Sequence, residues 1–110
     1  MSGKMTISTI LQNGILRITA QGAMTFASAI EYKALLKEWL ASDIQQIIFD
    51  MKGITQIDSA GLGLLAQTLN QAATRGLKFR VENTAASISK IFELSGLASL
   101  LEKHAGKKTK

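Results

Sequence analysis

Ser59 follows Asp58 and stands at the head of a run in which Leu62, Leu65, Ala66, Leu69 and Ala73 recur at helical spacing. A serine in that setting can act as a nucleophile, accept a phosphoryl group, or help to cap a helix. Nucleophilic catalysis needs a base beside the hydroxyl, and the only histidine, His104, falls at the start of a basic tail, where a solvent-exposed imidazole is expected. Asp43, Asp50 and Asp58 show no i, i+3 or i, i+4 spacing that would gather carboxylates around a metal. Gly61 and Gly63 form neither a Walker loop nor a dinucleotide fingerprint, and no lysine follows them. Cysteine is absent, so thiolate sites and disulfides are excluded, which fits a reducing compartment. The inventory argues against an enzyme and calls for no metal and no cofactor.

The elements that must position Ser59 are legible in the apolar periodicity. Met5, Ile7 and Thr9, then Leu16, Ile18 and Ala20, alternate with polar residues on either side of Asn13-Gly14. Asn-Gly is the strongest short hairpin signal, so the two strands form an antiparallel pair. Tyr32, Leu35, Leu36, Trp39 and Leu40 mark an amphipathic helix over about 26–41. Gln46 to Met51 reads as a continuous apolar strand of the kind buried on both faces of a parallel sheet. The Ser59 helix ends at Gly76. Leu77, Phe79 and Val81 form a further strand. Asn83 or Thr84 caps a third helix that carries Ile88, Ile91 and Phe92 and ends at Gly96, and Leu97, Leu100 and Leu101 suggest a short last helix. The order β-β-α-β-α-β-α-α implies right-handed parallel crossovers behind an initial hairpin. The expected fold is a small single-domain α/β structure with a mixed, mostly parallel sheet of about four to five strands and helices packed on it.

With 110 residues the chain fits one domain, expected over 1–102, followed by a basic and disordered tail at 103–110. The net charge is +5; from Glu102 onward four lysines stand against one glutamate, a net of +3, leaving +2 for the body. Charge concentrated in a Gly/Lys tail is no nucleic-acid stripe, so no nucleic-acid partner is expected. Apolar runs of only a few residues fall far short of the roughly 20 needed to span a bilayer. The start of the chain lacks the apolar core of a signal peptide, and a cytoplasmic location without membrane insertion is the default expectation.

Two readings of Ser59 stay open at this level. In the first, Asp58 caps the helix, Ser59 is incidental, and the small residues Ala60 and Gly61 permit close packing. In the second, the serine is displayed at a helix N-terminus with small neighbours that leave room for a docking protein. A phosphate there would add about −1.5 to −2 charges without unfolding the domain, and its cost would fall on the docked partner.

Ile57-Asp58-Ser59-Ala60-Gly61-Leu62-Gly63, preceded by the strand Ile48-Phe49-Asp50-Met51, resembles the motif of the STAS-domain family, the anti-sigma factor antagonists; Ile91-Phe92-Glu93-Leu94-Ser95-Gly96-Leu97 matches a second family-like stretch. The resemblance runs from about Met5 to Leu101. It implies a STAS fold and a partner-switching role: the unphosphorylated antagonist binds an anti-sigma factor that is also a GHKL-type serine kinase, phosphorylation at the position of Ser59 releases it, and a PP2C-type phosphatase restores it. Asp58, Ser59, Ala60, Gly61, Leu62 and Thr25 are the partner-binding residues that this resemblance implies. Two departures stand out. Gly22-Ala23-Met24-Thr25-Phe26 carries no acid where the family often has two, and Ala60 replaces a second serine. The first departure is similar to a related branch, the STAS subunit that docks on the ATPase of a phospholipid-transport ABC system.

Overall fold

A computed structural model describes residues 5–104. Strands β1 (Met5–Gln12) and β2 (Ile15–Met24) pair antiparallel around Asn13-Gly14. Both turn residues have positive φ, 55° and 78°, the signature of a type I′ turn whose twist matches its flanking strands. β3 (Gln46–Ile57) lies parallel to β2, and β4 (Lys78–Glu82) lies parallel to β3, giving the sheet order β1-β2-β3-β4. The helices are α1 (Ala29–Ala41), α2 (Ser59–Thr74), α3 (Ala86–Ser95) and α4 (Leu97–His104). This is the expected α/β class with four strands.

One face of the sheet meets all four helices. Leu16, Ile18 and Ala20 of β2, Ile47, Phe49 and Met51 of β3, and Phe79 of β4 form a single core with Tyr32, Leu36, Trp39, Leu65, Leu69, Phe92 and Leu97. Removing side chains of the size of Phe49 or Leu65 from water contributes about 1.5–3 kcal/mol each. Tyr32 ties α1 to α2: its hydroxyl lies 2.6 Å from Thr68 Oγ1, and Thr68 donates in turn to the Leu64 carbonyl at 2.8 Å. Its ring packs edge-on against Trp39 and stacks on Phe49. Complete burial pushes the Tyr32 phenol well above its ordinary range.

The other face is uncovered, which corrects the expectation that Gln46–Met51 is buried on both sides. Ile48 is buried but lies outside the main core, and its register neighbours are Arg17 and Arg80. Their long stems shield it while Glu82 accepts from Arg17 at 3.0 Å and from Arg80 at 2.6 Å.

β3 also runs six residues beyond its expected end at Met51. Met51 and Lys52 together oppose Ala20, and Thr55 is inserted between the partners of Gly22 and Ala23. Each extra residue shifts the alternation by one, so Met51, Ile54 and Ile57, three apart, all become buried. Asp50 supports the first bulge by accepting from Lys52 N–H at 2.9 Å.

Three local expectations change as well. Residues 26–28 form a separate 3₁₀ turn before α1, because the buried Ser28 hydroxyl accepts from Thr25 N–H at 3.1 Å and has the Thr25 and Ala23 carbonyls, at 3.0 and 3.3 Å, as acceptors for its one proton. α3 is preceded by Ala85 with no side-chain cap; Asn83 takes a left-handed φ of 57° and sends its amide to Asp50 Oδ1, 3.2 Å away. α4 continues to His104, two residues past the expected boundary, and the imidazole is half-buried with Nε2 3.1 Å from the Leu77 carbonyl oxygen, not free in solvent. The rest of the expected tail, 105–110, lies outside the described residues.

Candidate functional site

The C-terminal ends of β2 and β3 deliver two loops to one place. Asp58 takes extended backbone angles and caps α2, its Oδ1 accepting from Gly61 N–H at 2.9 Å. Its Oδ2 accepts from Phe26 N–H at 3.2 Å, and its own N–H donates to the Met24 carbonyl at 3.3 Å. One aspartate therefore fastens the start of α2 to the Met24–Phe26 segment. These contacts, the Gly61 N–H foremost, hold the Asp58 carboxyl below its ordinary range. The carboxylate is thus committed to accepting hydrogen bonds, and it is a poor general base for its neighbour.

Ser59 is the first residue of α2 and is exposed. Ala60 and Leu62 are half-buried, and Thr25 is half-buried across the Asp58 bridge. Gly61, expected on the docking surface, is buried instead. A Cβ built there would run into the Met24 carbonyl oxygen and lie 2.7 Å from Ile57 Cγ1. Its missing side chain lets the helix start press against the end of β2. Gly63 has the opposite surroundings: it is exposed, and a Cβ would meet nothing within 4 Å.

Ser59, Leu62, Gly63 and Ala66 fall at i, i+3, i+4 and i+7, so one stripe of α2 carries the serine and then a run of small and apolar groups. Leu62, Gly63 and Ala66 form one wall of a shallow groove of about 210 Å³, and Ser95, Leu97 and Leu100 form the other. Leu94 beside it is 78% exposed. On the other side of the Asp58 bridge, Phe26 and Ile30 are 79% and 85% exposed. From the sequence alone, Leu94, Phe26 and Ile30 have no part in the site. Ile30 gave the one available signal, an apolar residue off the buried stripe of α1. A larger cleft of about 520 Å³ between β4 and the α3–α4 pair shares no lining residue with this surface. Among the described residues no three His, Cys, Asp or Glu side chains are grouped as metal ligands, and no helix is long and apolar enough to cross a membrane.

Comparison with known proteins agrees with this architecture. An anti-sigma factor antagonist from Mycobacterium paratuberculosis superposes with a TM-score of 0.78 at 18% identity, over 90% of this chain and 86% of that one. The Bacillus cell fate determinant SpoIIAA in its phosphorylated form gives 0.67 at 17%, over 86% and 87%. A sulfate transporter family protein from Wolinella succinogenes gives 0.75 at 17%, over 87% and 78%. At such identities the likeness establishes the fold. The family model for the STAS domain matches residues 6–108, nearly the whole chain, and the protein belongs to the STAS domain family.

Proposed function

We propose that this chain is an anti-sigma factor antagonist in a bacterial partner-switching system. It binds an anti-sigma factor that is also a GHKL-type serine kinase while Ser59 is unphosphorylated. Phosphorylation of Ser59 releases it, and a PP2C-type phosphatase resets it. The chain is then a ligand and a substrate, with ATP and magnesium belonging to its partners, and it acts in the cytoplasm. The observation that carries the reading is the placement of an exposed Ser59 at the head of the apolar stripe Leu62, Gly63, Ala66. Similarity to an antagonist solved in both unphosphorylated and phosphorylated forms supports it.

The apolar residues beside the site give a second reading a specific basis. Phe26 and Ile30 are exposed beside the site, and residues 22–26 hold no acid. An exposed apolar rim suits stable docking on the ATPase of a phospholipid-transport ABC system as well as it suits a switch.

The test uses the full chain and a GHKL-type kinase retained from the native cell. After incubation with ATP and magnesium, mass spectrometry should find one phosphate on Ser59. Ser59→Ala should bind the kinase like wild type, and Ser59→Glu should bind some 30-fold more weakly or worse, because an unpaired charge buried at an interface costs on the order of 2–5 kcal/mol. Phosphate on another residue, or full binding by Ser59→Glu, removes the switch. Retention of a transport ATPase in place of a kinase selects the second reading.

A further inference from the structure

The two edges of the sheet are finished differently. β4 is five residues long and carries Lys78, Arg80 and Glu82, and its beginning is covered where His104 meets Leu77. Charge and cover of this kind keep an edge from pairing with another chain. Among the described residues β1, at the other edge, has none of these defences. Its eight residues, MTISTILQ, include no charge, proline or glycine, and its ladder with β2 runs without a bulge from Met5↔Gly22 to Gln12↔Ile15. Every residue from Ser8 to Gln12 is exposed, Ile10 at 64% and Leu11 at 53%.

The turn decides which backbone groups of β1 are free. In the type I′ turn the Gln12 carbonyl accepts from Ile15 N–H, so Gln12 faces β2. Antiparallel ladders alternate, so Ile10, Ser8 and Thr6 also bond inward, and Leu11, Thr9, Ile7 and Met5 turn their N–H and C=O groups outward. Leu11, Thr9 and Ile7 lie opposite Leu16, Ile18 and Ala20, which places them on the helix side; Ile10, opposite Arg17, lies on the open side.

We propose that β1 pairs antiparallel with β1 of a second copy of this chain, about a twofold axis at Thr9. Thr9 then faces Thr9 of the second copy, Leu11 faces its Ile7, and Ile10 faces its Ser8. Outward groups meet outward groups along Thr6 to Gln12, and the apolar Leu11 and the half-buried Ile7 cover each other on the helix side. The four-stranded sheets join into one of eight. A second copy is the occupant favoured by three features. The strand is uncharged, so a pair of net-positive chains brings no like charges together across the axis. An isologous contact satisfies both exposed strands at once. The guarded β4 edge then leaves no template for a third copy, so the assembly closes as a dimer. β1 touches only β2 in the sheet, and the Ser59 surface stays open in both copies. A single strand pair belongs to the small-interface class, so the dimer is weak and depends on concentration.

The full chain should show a monomer–dimer equilibrium in sedimentation velocity, with nothing larger. Leu11→Lys should raise the dissociation constant at least about tenfold while leaving the melting temperature of the monomer, measured well below that constant, unchanged. The chain has no cysteine, so a single introduced thiol reports register. A hydrogen-bonded antiparallel pair separates Cα atoms by about 5.5 Å, within disulfide range. Thr9→Cys should oxidise to a covalent dimer at least about tenfold faster than Lys37→Cys, an exposed site on α1. A chain that stays monomeric at every concentration overturns the proposal. So does a dimer indifferent to Leu11→Lys, equal cross-linking at residues 9 and 37, or a ladder of higher oligomers.

Discussion

Gly61 and Gly63 sit two residues apart in the same helix, and alanine should move stability in opposite directions at the two sites. At either position the change removes a helical glycine, which favours the folded state by about 0.8–1 kcal/mol. Nothing opposes that gain at Gly63, where a new methyl meets open space. Gly63→Ala should therefore raise the melting temperature by roughly 4–8 °C. At Gly61 the methyl meets the Met24 carbonyl oxygen, with Met24 C at 2.9 Å and Ile57 Cγ1 at 2.7 Å. Two of these three atoms are backbone, and that carbonyl accepts the Asp58 N–H, so relief requires the end of β2 and the start of α2 to separate. Overpacking of this kind costs about 1–3 kcal/mol, and the weakened hydrogen bond adds about 0.5–1.5. Net of the propensity gain, Gly61→Ala should be destabilised by about 1–3 kcal/mol, a fall of roughly 5–20 °C. Thermal and urea unfolding followed by circular dichroism measure both. A Gly61→Ala protein that melts at or above wild type would refute the packing role given to this glycine, and so would a Gly63→Ala protein that loses as much as its neighbour.

Tyr32→Phe should cost about 0.5–1.5 kcal/mol in urea unfolding, because Thr68 keeps its bond to Leu64; Thr68→Val leaves the buried phenol unpaired and should cost more, about 1–3 kcal/mol. Asp50, Asp58 and Glu82 are held below their ordinary ranges, chiefly by the Lys52 N–H, the Gly61 N–H and Arg17 respectively. Their contribution is therefore complete above the unfolded-state values near 4 and is lost as pH falls through the lower folded-state values, so the melting temperature should drop from about pH 5 to pH 3, less steeply in Glu82→Gln. Phe26→Ser and Ile30→Ser, at exposed positions, should shift stability by no more than about 0.5 kcal/mol yet weaken retention of the native partner on a column.

The sequence exposed those parts of the fold that local chemistry dictates. Asn13-Gly14 names its own turn, the Tyr32–Leu40 stripe names α1, and Asp58 announces itself as a cap. What stayed hidden depends on contacts distant in the chain. Met51, Ile54 and Ile57 have no strand period because two bulges against β2 break it, so β3 runs past the end that its alternation predicts. Ile48 reads as core on both faces until Arg17 and Arg80 are seen to be its lateral neighbours. His104 reads as part of a solvated tail because its partner, the Leu77 carbonyl, lies far back in the sequence. The second function of Asp58, holding Phe26 N–H, has no sequence signal at all. Gly61 and Gly63 are indistinguishable in the motif, and only the approach of Met24 separates a packing glycine from an open one.

Asp58 also constrains how the proposed switch could operate. A helix N-terminus is a ready anion site when its N–H groups are free. Here the Asp58 carboxylate has already claimed the Gly61 N–H on one oxygen and reached out to Phe26 with the other. A phosphate on the adjacent Ser59 would find the cap occupied by a negative charge held ionised by those same bonds. Like charges repel, and the shortest relief for an exposed side chain is to point away from Asp58 and into solvent. On the proposed reading, phosphorylation therefore leaves the Asp58 bridge and the loops it fastens in place, and does not rebuild the helix start. The new charge projects instead from the head of the stripe that continues through Leu62, Gly63 and Ala66. A partner lying along that stripe would have to bury a dianion beside apolar groups that offer it no hydrogen bond. The switch then acts on what docks, and the rigidity that Asp58 and Gly61 give the helix start keeps its effect outside the fold.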